Sequence, residues 1–84
     1  MKKEELTKMF LEKIEWINKI SDLITSDKRS GVEGISYAHH EDEEKGWRIE
    51  IVRIYYNEGH TDINVTGNSL GSILHEIVKE VYGD

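Results

Sequence analysis

Residues Ile63–Tyr82, INVTGNSLGSILHEIVKEVY, decide how the rest of the chain must be arranged. The first residues alternate as the end of a strand does, and Thr66-Gly67-Asn68 supplies residue types that favour tight turns. From Ser69 onward the apolar residues Leu70, Ile73, Leu74, Ile77, Val78, Val81 and Tyr82 recur at the helical period. A helix with that stripe needs an apolar surface to cover, and the segments before it read as strands.

The strand leading into this helix, His60–Thr66, has Thr61, Ile63 and Val65 pointing inward, with His60, Asp62 and Asn64 outward. Ahead of it Asn57-Glu58-Gly59 reads as a three-residue hairpin loop. Trp47–Tyr56, WRIEIVRIYY, is the strongest β signal in the chain. Its alternation changes phase: Trp47, Ile49 and Ile51 share one face, and Val52, Ile54 and Tyr56 share the other. Such a strand is expected to be central in its sheet or to carry a bulge near Ile51-Val52. Glu41–Gly46 is a hairpin tip, and Val32–His40 is a first strand weakened or bulged at Gly34.

Upstream, Ser26–Gly31 is a polar connection, and Glu4–Ser26 forms a first helix through Leu6, Met9, Phe10, Ile14, Ile17, Ile20, Leu23 and Ile24. Leu11 projects opposite this stripe and Trp16 lies at its edge. Together they point to a second packing face and a homo-oligomer. The expected fold is one α+β domain over residues 1–84, α-β-β-β-α. It is a three-stranded antiparallel meander with the N- and C-terminal helices on one face. The uncovered face is expected to present Ser36, Ala38, His40, Arg48, Glu50, His60, Asp62 and Asn64, with Val52, Ile54 and Tyr56 as possible additions.

Composition narrows the function classes. A chain of 84 residues buries only about 60% of its unfolded surface, so self-association would help it. The absence of cysteine excludes disulfides, thiolate metal sites and thiol nucleophiles, and the absence of proline excludes a cis-proline turn. The N-terminal residues mix both charge signs without an apolar core segment, and no run is long enough to span a membrane. A soluble, cytoplasmic protein is expected. The net charge of −6 falls wholly in residues 27–84, because residues 1–26 carry five acidic and five basic side chains. Its densest point is Glu41-Asp42-Glu43-Glu44. That field repels phosphate backbones, so direct nucleic-acid binding is not expected. The same acids suit a protein partner with a basic groove, or merely a solvated turn.

Three constellations invite chemistry. Gly67, Asn68, Ser69, Gly71 and Ser72 open a helix, where free N–H groups and the dipole favour an anion. Either Asn68 or Ser69 can cap that helix, and a cap with nothing bound is the plain alternative. Arg48 and Arg53 are the cations expected to join this site around a small anionic nucleotide. With Tyr55 and Tyr56 they otherwise form a recognition surface or ordinary cross-strand pairs. His39 and His40 point to opposite faces, His60 and Asp62 make half a metal site, and His75-Glu76 lacks a second His at position 79, which is Lys. No metal site and no cofactor are expected. Ser69, His60 and Asp62 lie too far apart along one strand for a triad, so no enzyme is expected.

Asp62-Ile63-Asn64-Val65-Thr66-Gly67-Asn68-Ser69, with Ile73, Ile77, Val78 and Lys79 after it, resembles the C-terminal end of small phage-encoded proteins. They share a strand ending in N-V-T, a small-residue turn with a Ser, and an I-x-x-x-I-V-K helix. Those proteins often carry an acid before the Ser where this chain has Asn68. The resemblance, limited to residues 62–79, implies a phage accessory protein of anti-defence type. Such a protein would act without catalysis, either blocking a host defence protein such as a CRISPR nuclease or sequestering a nucleotide immune signal. Blocking would use Glu41, Asp42, Glu43 and Glu44, with Tyr55, Leu11 and Trp16 as further contact residues. The alternative is a structural or regulatory homo-oligomer with no small ligand.

Overall fold

The computed structural model describes residues 3–83, with the side chains of Lys3 and Leu6 outside that description, so the placement of Leu6 in the first stripe lies outside it too. The elements are α1 (Lys3–Ser26), a short 3-10 turn η1 (Lys28–Ser30), β1 (Val32–Asp42), β2 (Trp47–Tyr56), β3 (Gly59–Asn64) and α2 (Leu70–Tyr82). The strands form one antiparallel sheet in the order β1-β2-β3. This is the α-β-β-β-α meander, with both helices on one face.

β2 is central; its register with β3 runs without a break, and its register with β1 does so from Gly34 to Asp42. No bulge forms at Ile51-Val52; the register shift lies in β1, between Val32 and Gly34. The doubly apolar character of β2 therefore resolves into two flat faces. Glu50, Val52 and Ile54 are fully buried beneath the helices, while Trp47 and Tyr55 stand on the other side. Tyr56 is half-buried against the core. The second hairpin is tighter than a three-residue loop, because Gly59 already pairs with Tyr56 and leaves Asn57 and Glu58 as the turn.

The core joins Ile17 and Ile24 of α1, Val32 and Ile35 of β1, Val52 and Ile54 of β2, Val65, and Ile73 and Ile77 of α2. α1 meets this core along a line through Phe10, Lys13, Ile17 and Ile24, whereas Leu23 is turned out to solvent. In α2 only Ile73 and Ile77 are buried; Val81 packs against the core, and Val78 and Tyr82 are exposed. Tyr82 has a polar task instead, its hydroxyl donating to Asp27 Oδ2 at 2.9 Å and tying the end of α2 to η1.

β3 is shorter than β2, and the turn that follows completes the ladder. The Val65 N–H donates to the Glu50 carbonyl at 2.9 Å, and the Glu50 N–H donates to Thr66 Oγ1 at 2.9 Å. Gly67 sits at φ +77°, where a side chain is strained, and Asn68 N–H closes the turn on the Val65 carbonyl at 3.0 Å. Ser69 then caps α2, its hydroxyl accepting from Ser72 N–H at 3.2 Å.

Candidate functional site

The first site the sequence suggests is already filled from within. Gly67 N–H, which the turn aims as an anion donor, donates at 2.7 Å to Oε2 of Glu50. Ser69 spends its hydroxyl on the helix cap, and Asn68 its N–H on the turn. Gly71 and Ser72 are exposed.

The two arginines do not converge on this turn. Arg53 lies on the uncovered sheet face in a bidentate pair with Asp62, at 2.7 and 3.0 Å. Arg48 is not on that face: it shares the phase of Glu50, with its Nε 4.0 Å from Glu50 Oε2 and its guanidinium 5.9 Å from the Phe10 ring centre. Glu50, Val52, Ile54 and Tyr56 are likewise absent from the uncovered face, because burial of Val52 and Ile54 fixes the phase for all even residues of β2.

Around Glu50 the chain builds a polar cluster that sequence reading missed. Lys13 Nζ donates to Glu50 Oε1 at 2.6 Å, and the Tyr37 hydroxyl donates to the same oxygen at 2.6 Å. Lys13 is 2% exposed and Glu50 not at all. Burial raises the pKa of Glu50, but hydrogen bonds from Lys13, Tyr37 and Gly67 outweigh it and hold the carboxyl below its ordinary value. Burial, then the neighbouring carboxylate, pushes the Tyr37 hydroxyl well up. A signal was present: Lys13 lies three residues after Phe10 and four before Ile17, within the apolar stripe of α1. The cluster joins α1, β1, β2 and the β3–α2 turn with every buried side-chain polar atom among the described residues satisfied. With Lys13 and Glu50 buried and their polar atoms satisfied, the cluster holds structure and offers no open position for a substrate.

What faces outward is the other side of the sheet. Trp47, Ile49, Ile51 and Tyr55 run down its centre, with Trp47 47% and Tyr55 41% exposed. Ala38, Ser36 and His40 flank them on β1, and His60, Asp62 and Asn64 on β3. A depression of about 300 Å³ opens among Ser36, Ala38, His40, Ile51, Arg53 and Tyr55. At one end of this face stands the acidic tip. Glu41 and Asp42 finish β1, and the Glu43–Gly46 turn follows. Gly46, at φ +70°, returns its N–H to the Asp42 carbonyl at 2.8 Å. Leu11 and Trp16 lie on α1, 60% and 48% exposed, away from this sheet face.

The histidines do not gather. His39 stacks on Phe10 with ring centres 3.9 Å apart, and His60 lies 6.1 Å from Tyr55. Among the described residues no three His, Asp or Glu side chains group to hold a metal ion, and no helix is long and apolar enough to cross a membrane. No protein-family model, curated protein or solved structure matches the chain.

The titratable groups predict a plateau of stability with two edges. Asp27 is held below its ordinary value of 3.8 by the Tyr82 hydroxyl and the Arg29 N–H, and Asp62 below it by Arg53. With Glu50, these groups stabilise the fold above their unfolded values, and the stabilisation is lost as pH falls through the lowered folded ones. Tyr37 and Tyr82 are raised above 10.0, so their contribution is complete below that pH and is lost as pH climbs through their folded values. Urea midpoints followed by circular dichroism are expected to be flat from about pH 5 to 9 and to fall on both sides. Glu50→Gln is expected to reduce the acid-side slope.

Proposed function

We propose that this chain is a non-enzymatic binding protein that masks a surface of a protein partner, with the uncovered sheet face as its contact area and the acidic tip as the electrostatic guide. The observation that carries this reading is the row of Trp47, Ile49, Ile51 and Tyr55 left without a covering layer, ending beside Glu41, Asp42, Glu43 and Glu44. Aromatic residues at the centre of a patch with charges at its rim are how energetically dense interfaces are built. The partner that fits has an apolar depression bordered by basic residues, since the tip concentrates negative charge and speeds encounter with such a surface. The resemblance of residues 62–79 to phage accessory proteins makes that partner a component of bacterial defence, such as a CRISPR nuclease. Capture of a nucleotide signal has weaker support, because Gly67 and Ser69 already have internal partners and Arg53 stands on the other face.

The test is a phage plating assay in bacteria that carry individual defence systems and express this chain. Protection of phage against at least one system is expected. Glu41→Lys, Asp42→Lys, Glu43→Lys and Glu44→Lys combined and, separately, Trp47→Ala with Tyr55→Ala are each expected to abolish it while circular dichroism remains unchanged. Full protection by both folded variants, or protection against none of the systems, contradicts the reading.

A further inference from the structure

We infer that the outer edge of β1 is a strand-addition site for an extended segment of a protein partner, apolar on one face and basic at its N-terminal end. β1 is the outer strand of the sheet, and backbone phase shows what it offers. Val65 N–H bonds the Glu50 carbonyl, so even residues of β2 turn their backbone groups toward β3 and odd residues toward β1. By the β1–β2 register, Ser36, Ala38 and His40 then face β2, and Tyr37, His39 and Glu41 turn their backbone groups outward. Two residues before Tyr37 in the same phase, the Ile35 N–H donates to Ser21 Oγ of α1 at 3.1 Å, which closes that end of the edge. From Tyr37 to Asp42 none of the usual blocks is present: β1 has no proline and no Lys, and its irregularity lies back between Val32 and Gly34. β3, the opposite edge, is shorter and folds back on itself, Asn64 Oδ1 accepting from the Thr66 N–H at 3.0 Å.

Beside the edge lies an apolar groove of about 330 Å³, lined by Phe10, Leu11 and Ile14 of α1 and by His39, His40 and Glu41 of β1. Ser21 stands two turns after Ile14, so the flank of α1 that carries Ile14 runs along the edge. The side chains of Tyr37 and His39 face the helices, the first bonded to Glu50 and the second stacked on Phe10. In an antiparallel addition, the residues opposite these lie on the same face and return their N–H and C=O groups to β1. The partner residues that fill the groove are therefore the ones that carry the backbone bonds.

Charge decides which segment fits. β1 has no Lys or Arg; its charges are Glu33, Glu41 and Asp42, and Glu43 and Glu44 follow it. Lys45 offsets one of the four acids at the tip, and Arg48, opposite Glu41 in the ladder, turns its guanidinium toward Glu50. A second copy brings the same acid-bearing strand and finds no base on β1 to meet. A partner segment with Lys or Arg is attracted, and antiparallel pairing puts those residues ahead of the apolar ones, against Glu41–Glu44. This site shares only the acidic tip with the open sheet face, whose Trp47 and Ile51 lie on the other side of the sheet.

Fluorescence anisotropy of the full chain with the labelled peptide Lys-Arg-Lys-Ile-Thr-Ile-Thr-Ile-Thr tests this. Saturable binding with a Kd of about 10–100 µM is expected. N-methylation of the three Ile residues, whose backbone groups meet β1, should abolish it, whereas N-methylation of the three Thr residues should not. Glu in place of the peptide's basic residues should weaken binding about tenfold or more, and so should Leu11→Lys in the groove. Glu41→Pro should weaken it well beyond Glu41→Gln, which removes the same charge and keeps the outward N–H. Ile51→Lys, on the sheet face, should leave peptide binding unchanged, which separates this site from the masking face. No saturation below about 1 mM overturns the proposal, as do equal effects of the two N-methylations. Binding that Ile51→Lys removes and Leu11→Lys spares overturns it too. So does a dimer of the chain alone, seen by sedimentation, that Leu11→Lys dissolves, since a second copy then holds the edge.

Discussion

Lys13→Met is expected to lower the free energy of unfolding by about 3–5 kcal/mol, the largest loss from any near-isosteric change in this chain. The substitution keeps most of the apolar stem that crosses the core, so packing changes little. What it removes is the ammonium that contacts Glu50, a carboxylate with no exposure to solvent. Tyr37 and Gly67 continue to donate, but neither carries charge, and the Arg48 guanidinium stands at 4.0 Å on the other oxygen. A domain of this size has at most about 5–10 kcal/mol to lose, so the variant is expected to be partly unfolded at 37 °C.

Lys13→Met combined with Glu50→Gln is expected to be more stable than Lys13→Met alone. With its oxygen turned to the Gly67 N–H, the amide donates its NH2 to the Tyr37 hydroxyl, and no buried charge is left in the core. Denaturant titration of the four proteins gives the coupling directly. A single Lys13→Met variant within about 1 kcal/mol of the parent would show that solvent reaches the pair and that the cluster is not sealed.

The second large effect separates the two faces of β2. Ile54→Ala is expected to cost about 2–5 kcal/mol, because Ile54 is completely buried between both helices and the sheet and its loss leaves a cavity. Ile51→Ala, three residues earlier on the same strand, is expected to cost less than about 1 kcal/mol, since half-buried surface positions lose little transfer energy. Binding is expected to respond in the opposite order. Ile51→Ala should weaken partner binding by about tenfold with stability nearly unchanged, the mark of a residue held for recognition. Paired measurements of thermal midpoint and phage protection check both orders. Equal stability losses at 51 and 54 would mean that the outer face is covered in the protein as it works.

The acid edge of the stability profile adds a constraint on the same core. Because Glu50 is held below its ordinary value by donors from three elements, protonating it loosens α1, β1 and the β3–α2 turn together. The expected acid transition is therefore cooperative and does not begin as local fraying of one helix.

The sequence alone was enough to settle element order, the central place of β2, the irregularity at Gly34 and the identity of α2 as the closing helix. Each follows from local rules: period two against period three to four, glycine at the turns, and a capping residue at 68 or 69, of which the structure uses Ser69. It was not enough to say which phase of β2 faces inward. Trp47, Ile49 and Ile51 compete with Val52, Ile54 and Tyr56 on equal apolar terms, and only docking of both helices decides between them. That decision carries Arg48 and Glu50 off the open face and into contact with α1. It also leaves Trp47, Ile51 and Tyr55 as the surface available to others. The same docking turned an apparent anion site into an internal bond, because Glu50 and Gly67, seventeen residues apart, meet only once the sheet is closed. Local pattern fixes what each segment becomes, whereas a buried ion pair between residues 13 and 50 is a property of packing, where desolvation makes a charge seek a partner wherever the fold brings one.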